Sequence, residues 1–229
     1  MKRWIAACMA VVVLAVPAAA EETPRHISVT GEGRVEAVPD MATLSLGVSK
    51  AAPEAGPAMA AAAKAANAIM DRLAAMDIPA RDIRTSRVAL SPVWSDRDDG
   101  RPRRITGYRA DYGVTVRIRD LDKVGPVIDA TVQAGGNDFG GLSFSVQDDG
   151  PLRDAARQQA VRDATARAEL LAQAAGVTLG PVVTISEGGG ATPRPYEMRA
   201  AAAMADTIPV APGEISVTAR VDMVFEITD

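Results

Sequence analysis

PLRDAARQQAVRDATARAELLAQAA, residues 151–175 and closed by Gly176, is the stretch on which the fold turns. Leu152, Ala156, Ala160, Ala164, Ala168, Leu171 and Ala175 recur at three- and four-residue steps, so they share one face of a helix. Methyl groups in place of longer side chains make that face nearly flat. A flat helix can lie unusually close to a sheet, so small residues are expected on the strands beneath it. Asp148, Asp149 and Pro151 mark the start, with acidic residues near the positive end of the helix dipole and proline close to the first helical position. Asp163 and Arg167 form a favourably oriented pair on the solvent side.

The small residues appear at the other end of the chain. Ile27, Val29, Gly31, Gly33 and Val35 alternate with Ser28, Thr30, Glu32, Arg34 and Glu36, the pattern of a half-buried strand. Both glycines fall on its apolar face, where glycine marks a bulge or the close approach of another backbone. Pro39 and Asp40 are turn residues. A second strand follows with Ala42, Leu44, Leu46 and Val48 inward, and the two strands are predicted to form a hairpin.

Further along, Pro53 to Met76 reads as an amphipathic helix with Met59, Ala62, Ala66, Ile69, Leu73 and Met76 on one stripe. Strands are predicted from Ile83 to Trp94 and from Ile105 to Arg119, joined by the polar run SDRDDGRPRR at 95–104. Asp120 is placed to cap a short helix carrying Leu121, Val124, Ile128 and Val132, with Pro126 delaying its start. Leu142, Phe144 and Val146 mark another strand; Pro181 to Glu187 is the next, with Val183 and Ile185 inward, and Glu214 to Thr228 the last. Residues 41–94 and 137–187 each read strand, helix, strand, with no shared motif beyond that order. The expected class is α+β, a largely antiparallel sheet of about seven strands with about three helices on one face.

The first twenty residues read as an export signal: Lys2 and Arg3, an apolar run from Ile5 to Val16, then Ala18, Ala19 and Ala20 before Glu21. Residues 21–26 are expected to be a mobile leader and 27–229 one domain. The apolar run is shorter than the roughly 20 residues that span a bilayer, and no later segment reaches that length, so no transmembrane segment is expected in the mature chain. Cys8 is the only cysteine and leaves with the signal, which excludes thiol chemistry and cysteine metal sites. Without Lys2 and Arg3 the chain carries 23 basic and 29 acidic residues, a net charge near −6 that disfavours nucleic acid and anionic lipid as partners.

No catalytic or cofactor pattern emerges. There is no G-x-S-x-G elbow, and the sole histidine, His26, lies at the edge of the leader. Gly31-Glu32-Gly33 lacks the third glycine of a dinucleotide fingerprint. Asp96, Asp98 and Asp99 do not continue into an EF-hand loop, since Arg101 and Gly107 stand where glycine and glutamate are needed. No cofactor or metal is therefore expected. A carboxylate enzyme using Asp111 or Asp138 with arginine partners is the remaining catalytic option, and no spacing singles those residues out.

Residues 188–213 are too long for an ordinary connection and less polar than a disordered linker. Tyr196, Met198, Met204, Ile208 and Val210 lie there among prolines and alanines. They are the candidate contacts of an arm that docks on a second subunit or encloses a ligand, against the alternative of a loose loop.

Taken in order, Ile27 to Val35 (ISVTGEGRV), Pro39 to Ala42 (PDMA), Asp82 to Thr85 (DIRT), Ile105 to Tyr108 (ITGY), the alanine helix after Asp149, and Ile208 to Val217 (IPVAPGEISV) resemble the SIMPL-domain family of exported bacterial proteins, which includes periplasmic immunogenic antigens. The resemblance covers almost all of the mature chain. It carries over no catalytic residues, and it implies an envelope protein associated with stress tolerance that assembles with itself. The expected function is thus a non-enzymatic, self-associating protein of the periplasm, with association to the outer membrane left open. The alternative is a periplasmic binding module for a small or peptide ligand, or for another envelope protein.

Overall fold

The computed structural model describes residues 25–95, 102–188, 192–196 and 210–229, with backbone alone at 192–196. The expected signal, the aspartates of the 95–104 run, and Met198, Met204 and Ile208 lie outside the described residues. In chain order the elements are β1 (His26–Ala37), β2 (Met41–Ala52), α1 (Ala55–Ala75), β3 (Ile83–Trp94), β4 (Ile105–Ile118), α2 (Val124–Gln133), β5 (Asp138–Ser145), α3 (Gly150–Ala175), β6 (Thr178–Glu187), β7 (Thr192–Tyr196) and β8 (Glu214–Thr228). Short 3-10 turns at Ala80–Asp82 and Leu121–Lys123 precede β3 and α2. The class is α+β.

The strands divide between two antiparallel sheets. One has the order β1-β8-β6, with β7 also on β8; the other has the order β3-β4-β2-β5. The predicted hairpin of β1 and β2 does not form. All of β1 pairs with β8, from His26 opposite Glu226 to Ala37 opposite Ile215, while β2 lies between β4 and β5. The Pro39-Asp40 turn carries the chain from one sheet to the other, because its hydrogen bonds are taken elsewhere. Asp40 donates its N–H to the Ser145 carbonyl at 3.2 Å, and its Oδ1 accepts from the Gln147 N–H at 2.8 Å. The connections β1–β2 and β5–α3 are thereby tied side by side.

Each sheet has its own core. Leu44, Leu46, Val48, Val114, Val116 and Ile118 pack against Ala62, Ala66, Ile69 and Leu73 of α1 and Val124 and Val127 of α2. In the other sheet Val29, Val217, Ala219, Val221, Met223 and Phe225 pack against Ala156, Ala160, Ala164 and Ala168 of α3. A Cβ built on Gly33 would stand 2.6 Å from the Ala160 nitrogen, and one on Gly31 would stand 2.5 Å from the Ala164 nitrogen. Backbone cannot retreat as the tip of a side chain can, so this seam admits only glycine.

The buried stripe of α3 keeps strict four-residue spacing and ends on Ala172. Leu171 and Ala175, expected on that face, are exposed. A row at four-residue steps is inclined to the helix axis, so it departs from a three-and-four alternation over several turns. Gly176 closes the helix with φ of 70°, the left-handed conformation usual after a helix end. In α2 the start is delayed to Val124, which puts Pro126 in the first turn, where its missing N–H is tolerated.

Other expectations are corrected. Arg25 and His26, expected in a mobile leader, are held: His26 opens β1, the Arg25 carbonyl accepts from Ile227 N–H at 3.1 Å, and Arg25 pairs with Asp229. Val183 and Ile185 are 60% and 56% exposed instead of inward, because α3 lies over β1 and β8 and meets β6 only near its ends, through Leu179 and the Arg157–Glu187 pair. Segment 188–213 is not one connection, since Thr192–Tyr196 pairs with Thr218–Glu214. The two strand-helix-strand stretches differ in topology: β2 and β3 belong to one sheet, β5 and β6 to different ones.

Candidate functional site

Period-two alternation puts Thr115, Arg117 and, just past the strand, Arg119 on the face of β4 turned away from α1. Pro79 leads into the turn Ala80–Asp82, which Asp82 N–H closes on the Pro79 carbonyl at 2.9 Å. That turn brings Asp82 against the end of β4. Its side chain is fully inaccessible, yet it is a charged group. Arg119 donates to both of its oxygens at 2.8 Å, and Arg117 Nε lies 3.4 Å from Oδ1. Arg117 also donates to the Arg81 carbonyl at 3.2 Å, and Arg119 to the side-chain oxygen of Gln147. Through Gln147 the chain of bonds reaches Asp40, at the crossing between the sheets.

The hydrogen bonds from Arg119 hold the Asp82 carboxyl below the usual carboxylate range. Burial opposes them, and the charges of Arg119, Arg117 and Arg81 add to them. A carboxylate saturated in this way is ionised and makes a poor proton acceptor. Its role is to orient guanidinium groups.

Beside it opens a cleft of about 550 Å³, lined by Thr43, Arg81, Arg84, Thr115 and Arg117 with the buried Asp82 at its wall. Among the described residues the side chains of Arg81 and Arg84 make no hydrogen bond or ion pair. The cleft is therefore cationic in a chain of net negative charge. The sequence contained the signal in two places, Asp82 to Thr85 and the alternation of Thr115, Arg117 and Arg119, but read alone the second is only a strand.

A second feature is the sheet edge at β6. The edge of β1 is covered by α3: Glu32 N–H donates to Asp163 at 2.8 Å, Arg34 N–H to Gln159 at 3.0 Å, and Arg167 donates to the Thr30 carbonyl at 2.9 Å. Beyond β6 no strand pairs among the described residues. Val182, Val183 and Ile185 there are 44%, 60% and 56% exposed, and Leu170 and Leu171 of α3 are exposed as well.

The sequence candidates fall in several places. Gly31, Gly33, Ala156, Ala160, Ala164 and Ala168 meet in the α3 seam, and Pro39 and Asp40 lie at the crossing. Tyr196 ends β7. Val210 packs against the α1 core, so its side chain is engaged within the chain. Asp111 lies 3.6 Å from Arg87, and Asp138 is exposed at the start of β5, where it forms no ion pair among the described residues. No group of three or more His, Cys, Asp or Glu able to hold a metal ion occurs among the described residues. No described helix is long and apolar enough to cross a membrane.

The family model described as SIMPL, protein of unknown function (DUF541), matches residues 27–225. The 26 kDa periplasmic immunogenic protein of Brucella melitensis is 37% identical over 233 aligned positions, covering 96% of this chain and 93% of the relative. The uncharacterized protein YggE of Edwardsiella ictaluri is 36% identical, covering 79% of this chain and 76% of the relative. YggE of Escherichia coli K12 is 33% identical, covering 70% and 64%.

Proposed function

This chain belongs to the SIMPL family, and from that premise we propose that it is a non-enzymatic, self-associating protein of the periplasm that serves the envelope under stress. Support for the compartment comes from the Brucella relative, named as periplasmic, and from the signal-like first twenty residues. Support for self-association comes from one observation, the β6 edge. Sheet edges are normally blunted by charge, proline or a covering element. Here β1 is covered by α3, while Val182 to Ser186 carries no charge and turns apolar side chains outward. Antiparallel pairing of β6 with β6 of a second copy satisfies both edges about a two-fold axis. The binding-module alternative draws on a different surface, the arginine cleft.

Light scattering on the mature protein tests the assembly. The mature chain should have a native mass above that of a monomer, and Val183→Lys with Ile185→Lys should reduce it to the monomer mass. A monomeric unaltered protein would remove the claim. A variant lacking 190–210 separates the edge from the arm, since loss of assembly there alone would transfer the interface to the arm. Survival of a deletion strain under envelope stress, equal to its parent, would sink the stress role.

A further inference from the structure

We infer that the cleft beside Asp82 is a binding site for a phosphate ester of a small polyol. Arg84, Thr115 and Arg117 project from neighbouring strands, since Arg84 is paired with Thr115 in the β3–β4 register, and Thr43 is paired with Arg117 between β2 and β4. Arg81 closes the row from the preceding turn. Asp82 and Arg119 satisfy each other in a two-bond pair, which leaves Arg81 and Arg84 with no hydrogen-bond or ion-pair partner among the described residues. Arg117 is held at 3.4 Å from the carboxylate and by the Arg81 carbonyl, so its outer donors remain available.

Three guanidinium groups and two hydroxyls offer more donors than the two oxygens of a carboxylate can use. A phosphoryl group presents three oxygens and up to two negative charges, and guanidinium matches it with paired bonds. The cleft, at about 550 Å³, has room for more than the phosphate. Threonine hydroxyls and arginine donors suit a hydroxylated carrier better than an apolar one. The net charge of the whole chain does not oppose such binding, because over a Debye length of roughly 8 Å the local arginines set the field.

The phosphate can belong to a soluble ester or to a lipid headgroup, and two probes separate them. Glycerol 3-phosphate titrated calorimetrically into the mature protein at constant ionic strength should bind, with chloride as the control. Arg81→Gln with Arg84→Gln, both exposed and outside the cores, should weaken that binding at least about tenfold. If instead the protein sediments with phosphatidylglycerol vesicles and not with phosphatidylcholine, and the double variant does not, the site reads a headgroup. Absence of binding to either probe overturns the inference, as does binding that the double variant retains unchanged. Thr115→Val, which keeps the strand, should give a smaller loss in the same direction; unchanged affinity would remove the hydroxyl from the site.

Discussion

At the scale of single residues, Asp82 has the largest consequence for its size. Its side chain is inaccessible and meets two arginines that are themselves half in solvent. The folded carboxyl titrates below its ordinary value, so the bonds stabilise the fold fully above the unfolded pKa of about 3.9 and are lost as the pH falls through the lower folded value. Asp82→Asn keeps the shape and removes the charge. It should lower stability by about 2 kcal/mol at neutral pH and flatten the fall in stability in acid, measured by urea melts at neutral pH and below the carboxylate range. A variant as acid-sensitive as the parent would show that the carboxylate does not govern that limb. In the sequence Asp82 is one aspartate among many acidic residues. Only the turn at Ala80–Asp82 and the end of β4 give it partners.

At the scale of elements, the seam between α3 and β1 is where sequence and structure agree most closely. Gly31 and Gly33 face Ala156, Ala160 and Ala164 at backbone distance. Ala164→Leu should overpack the seam and cost roughly 1 to 3 kcal/mol. Gly33→Ala should cost at least as much, because its methyl meets backbone. Thermal melts of both variants check this, and an unchanged melting temperature for either would mean that the helix rides higher than described. The side chains of α3 also cover the β1 edge through Asp163, Gln159 and Arg167, so the helix decides which edge of the sheet stays open. That consequence escaped the periodicity, which assigned Val183 and Ile185 to a core. Alternation says that two faces of a strand differ; it does not say whether a helix reaches over that strand.

At the scale of the whole molecule, two cores are joined by the paired connections at Asp40 and Gln147 and by Val210 resting on the α1 core. Such halves should open as separate cooperative units. Met223→Ala, in the α3 core, should cost about 2 to 5 kcal/mol and lower hydrogen-exchange protection in β1 and β8 while leaving β2 and β4 near their original values. Equal loss in both sheets would make the chain one unit. By itself the sequence determined the periodic elements, the α+β class and the glycine-alanine seam, because each rests on residue spacing, and spacing is local. Tertiary structure alone decided that β1 leaves β2 for β8, that the middle of β6 stays exposed, and that Arg81, Arg84 and Arg117 converge beside Asp82. The pairing of distant strands depends on which hydrogen bonds are already taken, as those of Asp40 are by Ser145 and Gln147, and that competition is settled only when the whole chain has folded.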